Sequence, residues 1–148
     1  MPNFEVHETA AARNQNVLDC LLENYAHSPN DFAHWVLTVA FYKALHLVET
    51  IFSQETQPFH SKDHHERNQR LKNIKKYEHI WRHYRLLLDA SMAARYLVVP
   101  HSGEDLTDLD AYLSGDSIHA KFINHSLRQI ENSFAAVKEE MEKRSALF

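Results

Sequence analysis

Residues 29–52, PNDFAHWVLTVAFYKALHLVETIF, decide the fold. Apolar residues lie on most sides of this stretch at helical spacing, and its only charged residues are Asp31, Lys43 and Glu49. A helix of this kind must be surrounded by other elements, so it is expected to be the central helix of the molecule. Its start is marked by Ser28 as N-cap, Pro29 at the first helical position and Asp31 at N3, a capping-box-like arrangement. Gln54 to Pro58 breaks it.

Other helical stretches flank this one on both sides. Val17, Leu18, Leu21, Leu22 and Tyr25 predict a first helix over about Thr9–Ala26. A third helix is expected over about Ser61–Ile74 and a fourth over about Glu78–Val98, ended by Pro100. Residues 101–115 hold both glycines and read as an exposed loop with one short helical turn. Asp116 or Ser117 then caps a last helix to about Lys143, with a stripe of Ile118, Phe122, Leu127, Ile130, Phe134, Val137 and Met141. With no glycine before Gly103, the tight hairpins of a sheet are hard to build. The expectation is one all-α domain over 1–148, an antiparallel up-and-down bundle of four to five helices.

Several function classes are set aside on composition. No apolar run reaches the roughly 20 residues of a membrane span, and the N-terminal stretch lacks a secretion signal's basic and apolar regions. Cys20 is the single cysteine, so neither an internal disulfide nor a CxxC metal pair is available. A cytoplasmic location with no membrane contact is expected. Phosphate-cradling glycine loops and a GxSxG elbow are absent from the sequence, and no cofactor is expected.

Charge separates the chain into thirds. Residues 1–58 balance at −5, residues 59–100 at +5 and residues 101–148 at −4. The basic third also holds His60, His64, His65, His79 and His83. Ionisable and hydroxyl groups fall on the expected inner faces of three helices: His46 and Glu49 on the second, His60, His64 and Arg67 on or just before the third, and Tyr84, Ser91 and Arg95 on the fourth. Glu49 is the only acid on these faces, so Arg67 and Arg95 compete for it. Buried unpaired charge is costly. Either a satisfied network locks the bundle in register, or the surplus positive charge receives an anion or phosphate.

The order and spacing of these residues carry a resemblance. Trp35, FYKALHLVE (Phe41–Glu49), HSKDHHERN (His60–Asn68), Tyr84 with Leu87, and SMAARY (Ser91–Tyr96) resemble small bacterial proteins of the HEPN superfamily, with the pattern FYxALHxV…HxxxHxxR…YxxLxxxSxxARY. The likeness covers roughly residues 30–100. It implies a four-to-five-helix bundle, often a homodimer. It also implies nucleotide binding or RNA cleavage, in many members beside a nucleotidyltransferase partner in toxin–antitoxin systems. The matching positions are His46, His60, His64, Arg67, Tyr84, Ser91, Arg95 and Tyr96. The superfamily's catalytic signature, an Arg followed four to six residues later by His, matches Arg95 and His101. There Arg95 would stabilise a pentacoordinate phosphate and His101 would relay the proton of a ribose hydroxyl. Two features depart from the signature: Tyr96 stands where a polar residue is usual, and Pro100 separates the pair.

The leading expectation is a binding module for a phosphorylated ligand, nucleotide or RNA, at His46, Glu49, His60, His64, Arg67, Tyr84, Ser91, Arg95 and Tyr96, in a basic pocket built by helices two, three and four. The alternatives are a metal-independent endoribonuclease using Arg95 and His101, and a purely structural or protein-interaction bundle. For metal, none is expected. His46, His60 and His64 are the runner-up ligand set, and His79 and His83 form a further i, i+4 pair.

Overall fold

The computed structural model describes residues 3–147. Six α-helices follow one another: α1 (Phe4–His27), α2 (Pro29–Ser53), α3 (His64–Asn73), α4 (Glu78–Tyr96), α5 (Leu109–Leu113) and α6 (Arg128–Ala146). A 3₁₀ turn at Lys75–Tyr77 leads into α4, and a π-helical segment at Ile118–Leu127 leads directly into α6. Among the described residues there is no strand, only an isolated bridge between Val98 and Asp105. The fold is an all-α bundle, and α5 is the short helical turn expected within residues 101–115.

The apolar character of α2 explains its place. Val36, Leu37, Ala40, Phe41, Ala44, Val48 and Phe52 are fully buried, and α2 packs against α1, α4, the π segment and α6. By length and mean hydropathy α2 could cross a membrane, contrary to the expectation that no run is apolar enough. However, 78% of its most apolar window is buried inside the bundle. It also carries Lys43, paired with Glu131 of α6, and the buried Glu49. A core helix accounts for these features.

The termini of the helices show which local signals prevail. α1 begins at Phe4 rather than Thr9, because the Asn3 side chain accepts from Val6 N at 3.2 Å and Phe4 stacks on Phe134 at 5.8 Å. Ser28 precedes α2, but its hydroxyl makes no capping bond. α3 starts three residues later than expected, with Asp63 as N-cap accepting from Glu66 N at 2.8 Å. The backbone N–H of Ser61 is already committed to Glu49, which holds the preceding chain out of the helix. α4 stops at Tyr96, two residues short of Val98, where Leu97 turns left-handed (φ 50°). Ser117 caps the π segment. There the five-residue step between buried Phe122 and Leu127 fits i→i+5 spacing.

Candidate functional site

Glu49 is the anchor of the inward-facing polar group. Its side chain is 1% exposed and accepts from Ser61 N at 3.0 Å and Ser61 Oγ at 3.3 Å. Arg67 Nε lies 3.4 Å from Glu49 Oε1 as an ion pair, and Arg67 Nη1 meets His64 Nδ1 at 3.2 Å. Since the guanidinium can only donate, His64 accepts through Nδ1 and carries its proton on Nε2. Tyr84 is fully buried 5.4 Å from the Phe41 ring, and its hydroxyl has no hydrogen-bond partner. Burial pushes that phenol up to about 12, although nearby Arg67 opposes the shift.

Arg95 is held differently. Nε donates to Ser91 O at 3.2 Å, Nη2 to Ser91 Oγ at 3.2 Å and Nη1 to Tyr42 Oη at 3.1 Å. Its guanidinium also lies 5.9, 5.6 and 5.1 Å from the ring centres of Phe41, Tyr42 and Tyr96. The Phe41 ring also lies 6.0 Å from that of His64. Among the described residues Arg95 forms no ion pair with a carboxylate. Arg95 opens onto a cavity of about 320 Å³ lined by Asp31, His34, Trp35, Thr38 and Ala94. Trp35 and Tyr96 are 60% and 61% exposed.

A row of imidazoles borders the group. His46 Nδ1 lies 3.0 Å from His7 Nδ1, and His7 Nε2 lies 3.0 Å from His60 Nε2. A neutral His7 must donate along one of these bonds and accept along the other. Burial lowers His7 first, joined by the charges of His60 and Arg67 and opposed by Glu49. Burial likewise lowers His46, then His7 and Arg67. His64 is lowered by burial, then by Arg67 and Arg95, against Asp63. His7, His46 and His64 are therefore held toward their neutral forms.

The structure thus brings Glu49, His64, Arg67 and Tyr84 together, with Arg95 and the Ser91 it bonds beside the Phe41 ring that also neighbours His64 and Tyr84. His46 and His60 join through His7, which the sequence reading missed because it began the first helix at Thr9. The group is not an enclosed pocket: His60 and His64 are exposed at its rim. Nor do the two arginines share Glu49, which pairs with Arg67 alone. His101 is not part of the group. Its side chain is 74% exposed, with Nε2 3.3 Å from Asp89 Oδ2. Asp89 precedes Arg95 by six residues, about 240° around the helix, and no hydrogen bond or ion pair joins Arg95 to His101. The runner-up metal ligands also divide, with His64 on Arg67 and His60 on His7. Among the described residues no three or more His, Cys, Asp or Glu side chains are gathered as a metal-ligand set.

Part of the basic third is neutralised elsewhere. Glu55, two residues beyond α2, receives Tyr77, Arg70 and Lys76, and Arg70 stacks 3.9 Å over Phe59. Burial alone would raise Glu55, but the hydrogen bonds from Tyr77 and Arg70 and the nearby charges hold it below its ordinary value. No family model, curated protein or solved structure matches the chain.

Proposed function

We propose that this chain is a HEPN-like binding module whose ligand is phosphorylated, a nucleotide or RNA, with the phosphate on Arg95. The observation that carries this reading is the state of Arg95: a half-buried guanidinium held by neutral groups and aromatic faces, with no carboxylate partner. His64 lies beside the same Phe41 ring, with Arg67 on its Nδ1. The exposed Trp35 and Tyr96 offer faces on which a base can stack. A homodimer acting beside a nucleotidyltransferase belongs to the same proposal, resting on the resemblance described above. Ribonuclease chemistry through Arg95 and His101 is not favoured, because the imidazole lies against Asp89.

An anion bound here would cancel the charges that now depress His64, so binding should take up a proton and strengthen as pH falls below about 6.5. The test is a thermal-shift titration with phosphate, AMP and short RNA against chloride at equal ionic strength, on wild type and Arg95→Gln. A native-state ligand at a hundredfold excess over Kd contributes about 2.7 kcal/mol, roughly 5–10 °C for a chain of this size. Equal shifts for chloride and phosphate, or for wild type and variant, would favour the purely structural network.

A further inference from the structure

Lys43 is only 7% exposed, although lysine is rarely buried without partners. It lines a cavity of about 360 Å³ that shares no residue with the one at Arg95. Both α1 and α6 pack on α2, and two bridges join them across it. At one end Lys138 Nζ meets Glu8 Oε2 at 2.7 Å. At the other, Lys43 Nζ donates to Gln15 of α1 and to Glu131 of α6. Glu8 and Gln15 are seven residues apart, so the bridges are spaced about 10 Å along α1 at 1.5 Å per residue. Between them Ala11, Ala12, Leu47 and Phe134 supply apolar walls. The gap is therefore a short slot, bridged at both ends, with a buried ammonium in its wall.

We propose that this slot binds a neutral, mainly apolar small molecule through a carbonyl oxygen received by Lys43. Volume sets the size class, because about 360 Å³ lies within the range of small-molecule sites, about 300–1,000 Å³. A partner helix, about 10–12 Å across with its side chains, needs a longer groove than the bridges leave. The ammonium sets the polar group. It has three N–H donors and no acceptor, and Gln15 and Glu131 take two of them. Among the described residues the third has no partner, and a buried charged donor left unmade is costly. Charge on the walls disfavours ions. A carboxylate here would face Glu8 and Glu131, which line the same slot. A cation would face Lys43, and both acids are already taken: Glu131 by Lys43 and by Arg128 at 3.3 Å, Glu8 by Lys138. Gln15 is fixed as well, because its Nε2 donates to Asp19 Oδ1 at 2.6 Å while its Oε1 accepts from Lys43. The donor is thus held in place before any ligand arrives, which lowers the ordering cost of binding.

The experiment follows backbone amide NMR shifts of the full chain titrated with four probes of similar size: acetophenone, ethylbenzene, benzoate and benzylammonium. Acetophenone should shift the amides of residues 8–16 and 131–134. It should bind at least about tenfold more tightly than ethylbenzene, the lower end of what a hydrogen bond to a charged group contributes. Benzoate and benzylammonium should bind more weakly than acetophenone. Ala12 is exposed at the rim, so Ala12→Trp should keep the fold and abolish binding by filling the slot. Lys43→Met keeps an apolar stem and leaves Glu131 with Arg128. It should reduce acetophenone to the affinity of ethylbenzene and leave ethylbenzene unchanged. Equal affinity of the wild type for acetophenone and ethylbenzene, tighter binding of either ion, no binding at all, or full binding by Ala12→Trp would overturn the assignment, whether or not Lys43→Met folds.

Discussion

Arg67 and Arg95 occupy equivalent positions in the sequence pattern, each phased toward the interior of a short stretch of basic helix, yet the fold treats them in opposite ways. Arg67 is buried against Glu49, which also receives the backbone and hydroxyl of Ser61, so its charge is compensated within the chain. Arg95 is fixed by a carbonyl, two hydroxyls and three aromatic rings, and its charge remains uncompensated. The first arrangement ties α2, the 59–63 segment and α3 into one body. The second keeps a guanidinium oriented, partly dry and available. Orientation without neutralisation is what recognition of an anion requires.

The contrast is broken most directly at Arg67. Arg67→Ala would leave Glu49 buried with only Ser61 as partner, a loss of roughly 3–5 kcal/mol on the scale for breaking buried pairs. Urea denaturation should show the midpoint falling sharply with an unchanged slope. Arg95→Gln removes no charge partner from anything, so its unfolding midpoint should stay near that of wild type. A small effect at Arg67 together with a large one at Arg95 would reverse their roles.

The next effect concerns ligand. Phosphate or AMP should raise the wild-type Tm by several degrees at saturating excess, and Arg95→Gln should lose most of that rise while keeping its own unfolding midpoint. A variant that still responds fully would move the anion away from Arg95 and leave the exposed Trp35 and Tyr96 without a role in binding.

Much of this arrangement was legible in the residues, for identifiable reasons. α2 could be placed at the centre because its apolar positions run round the whole helix. That Glu49 meets an arginine followed from phase, since only one acid faces inward, but its choice of Arg67 over Arg95 did not. What could not be read depends on contacts between distant parts of the chain. The start of α3 moves because Glu49 captures the backbone of Ser61, twelve residues away. His7 escaped notice because α1 begins before it, capped by Asn3, whereas the apolar spacing placed the start of the helix at Thr9. Arg95 and His101 have workable spacing, but the left-handed turn at Leu97 and the positive φ of His101 redirect the chain between them. The π segment left one trace, the five-residue step from Phe122 to Leu127.

A smaller effect tests whether α3 is positioned by its own cap as well as by Glu49. Asp63 accepts from Glu66 N at 2.8 Å, while Glu66 accepts from Lys62 N at 3.2 Å. Asp63→Ala should cost about 1 kcal/mol, the usual value of an N-cap. It should also loosen the helix that carries both His64 and Arg67, seen as faster amide exchange over residues 64–68. No change in exchange there would mean that the Glu49 contacts alone hold α3.

The smallest expected effect lies in the imidazole row, and it is one of pH rather than of energy at neutrality. His60 is exposed, so His60→Gln should leave stability at pH 7.5 within about 0.5 kcal/mol of wild type, as surface changes usually do. Below pH 6.5 the two proteins should part. His7, His46 and His64 have folded values lowered from 6.5, so between the folded and unfolded values the unfolded chain binds more protons. Their contribution is therefore intact above about pH 6.5 and is lost as pH falls through the lowered folded values. After burial, the nearby His60 is the largest influence depressing His7. Removing that imidazole should let His7 accept a proton more readily in the folded state, narrowing the gap and reducing the acid loss. Urea midpoints at pH 7.5, 6.5 and 5.5 measure this. The wild type should fall more steeply than His60→Gln across the lower interval. Parallel curves would mean that the His7–His60 contact does not govern the protonation of the row.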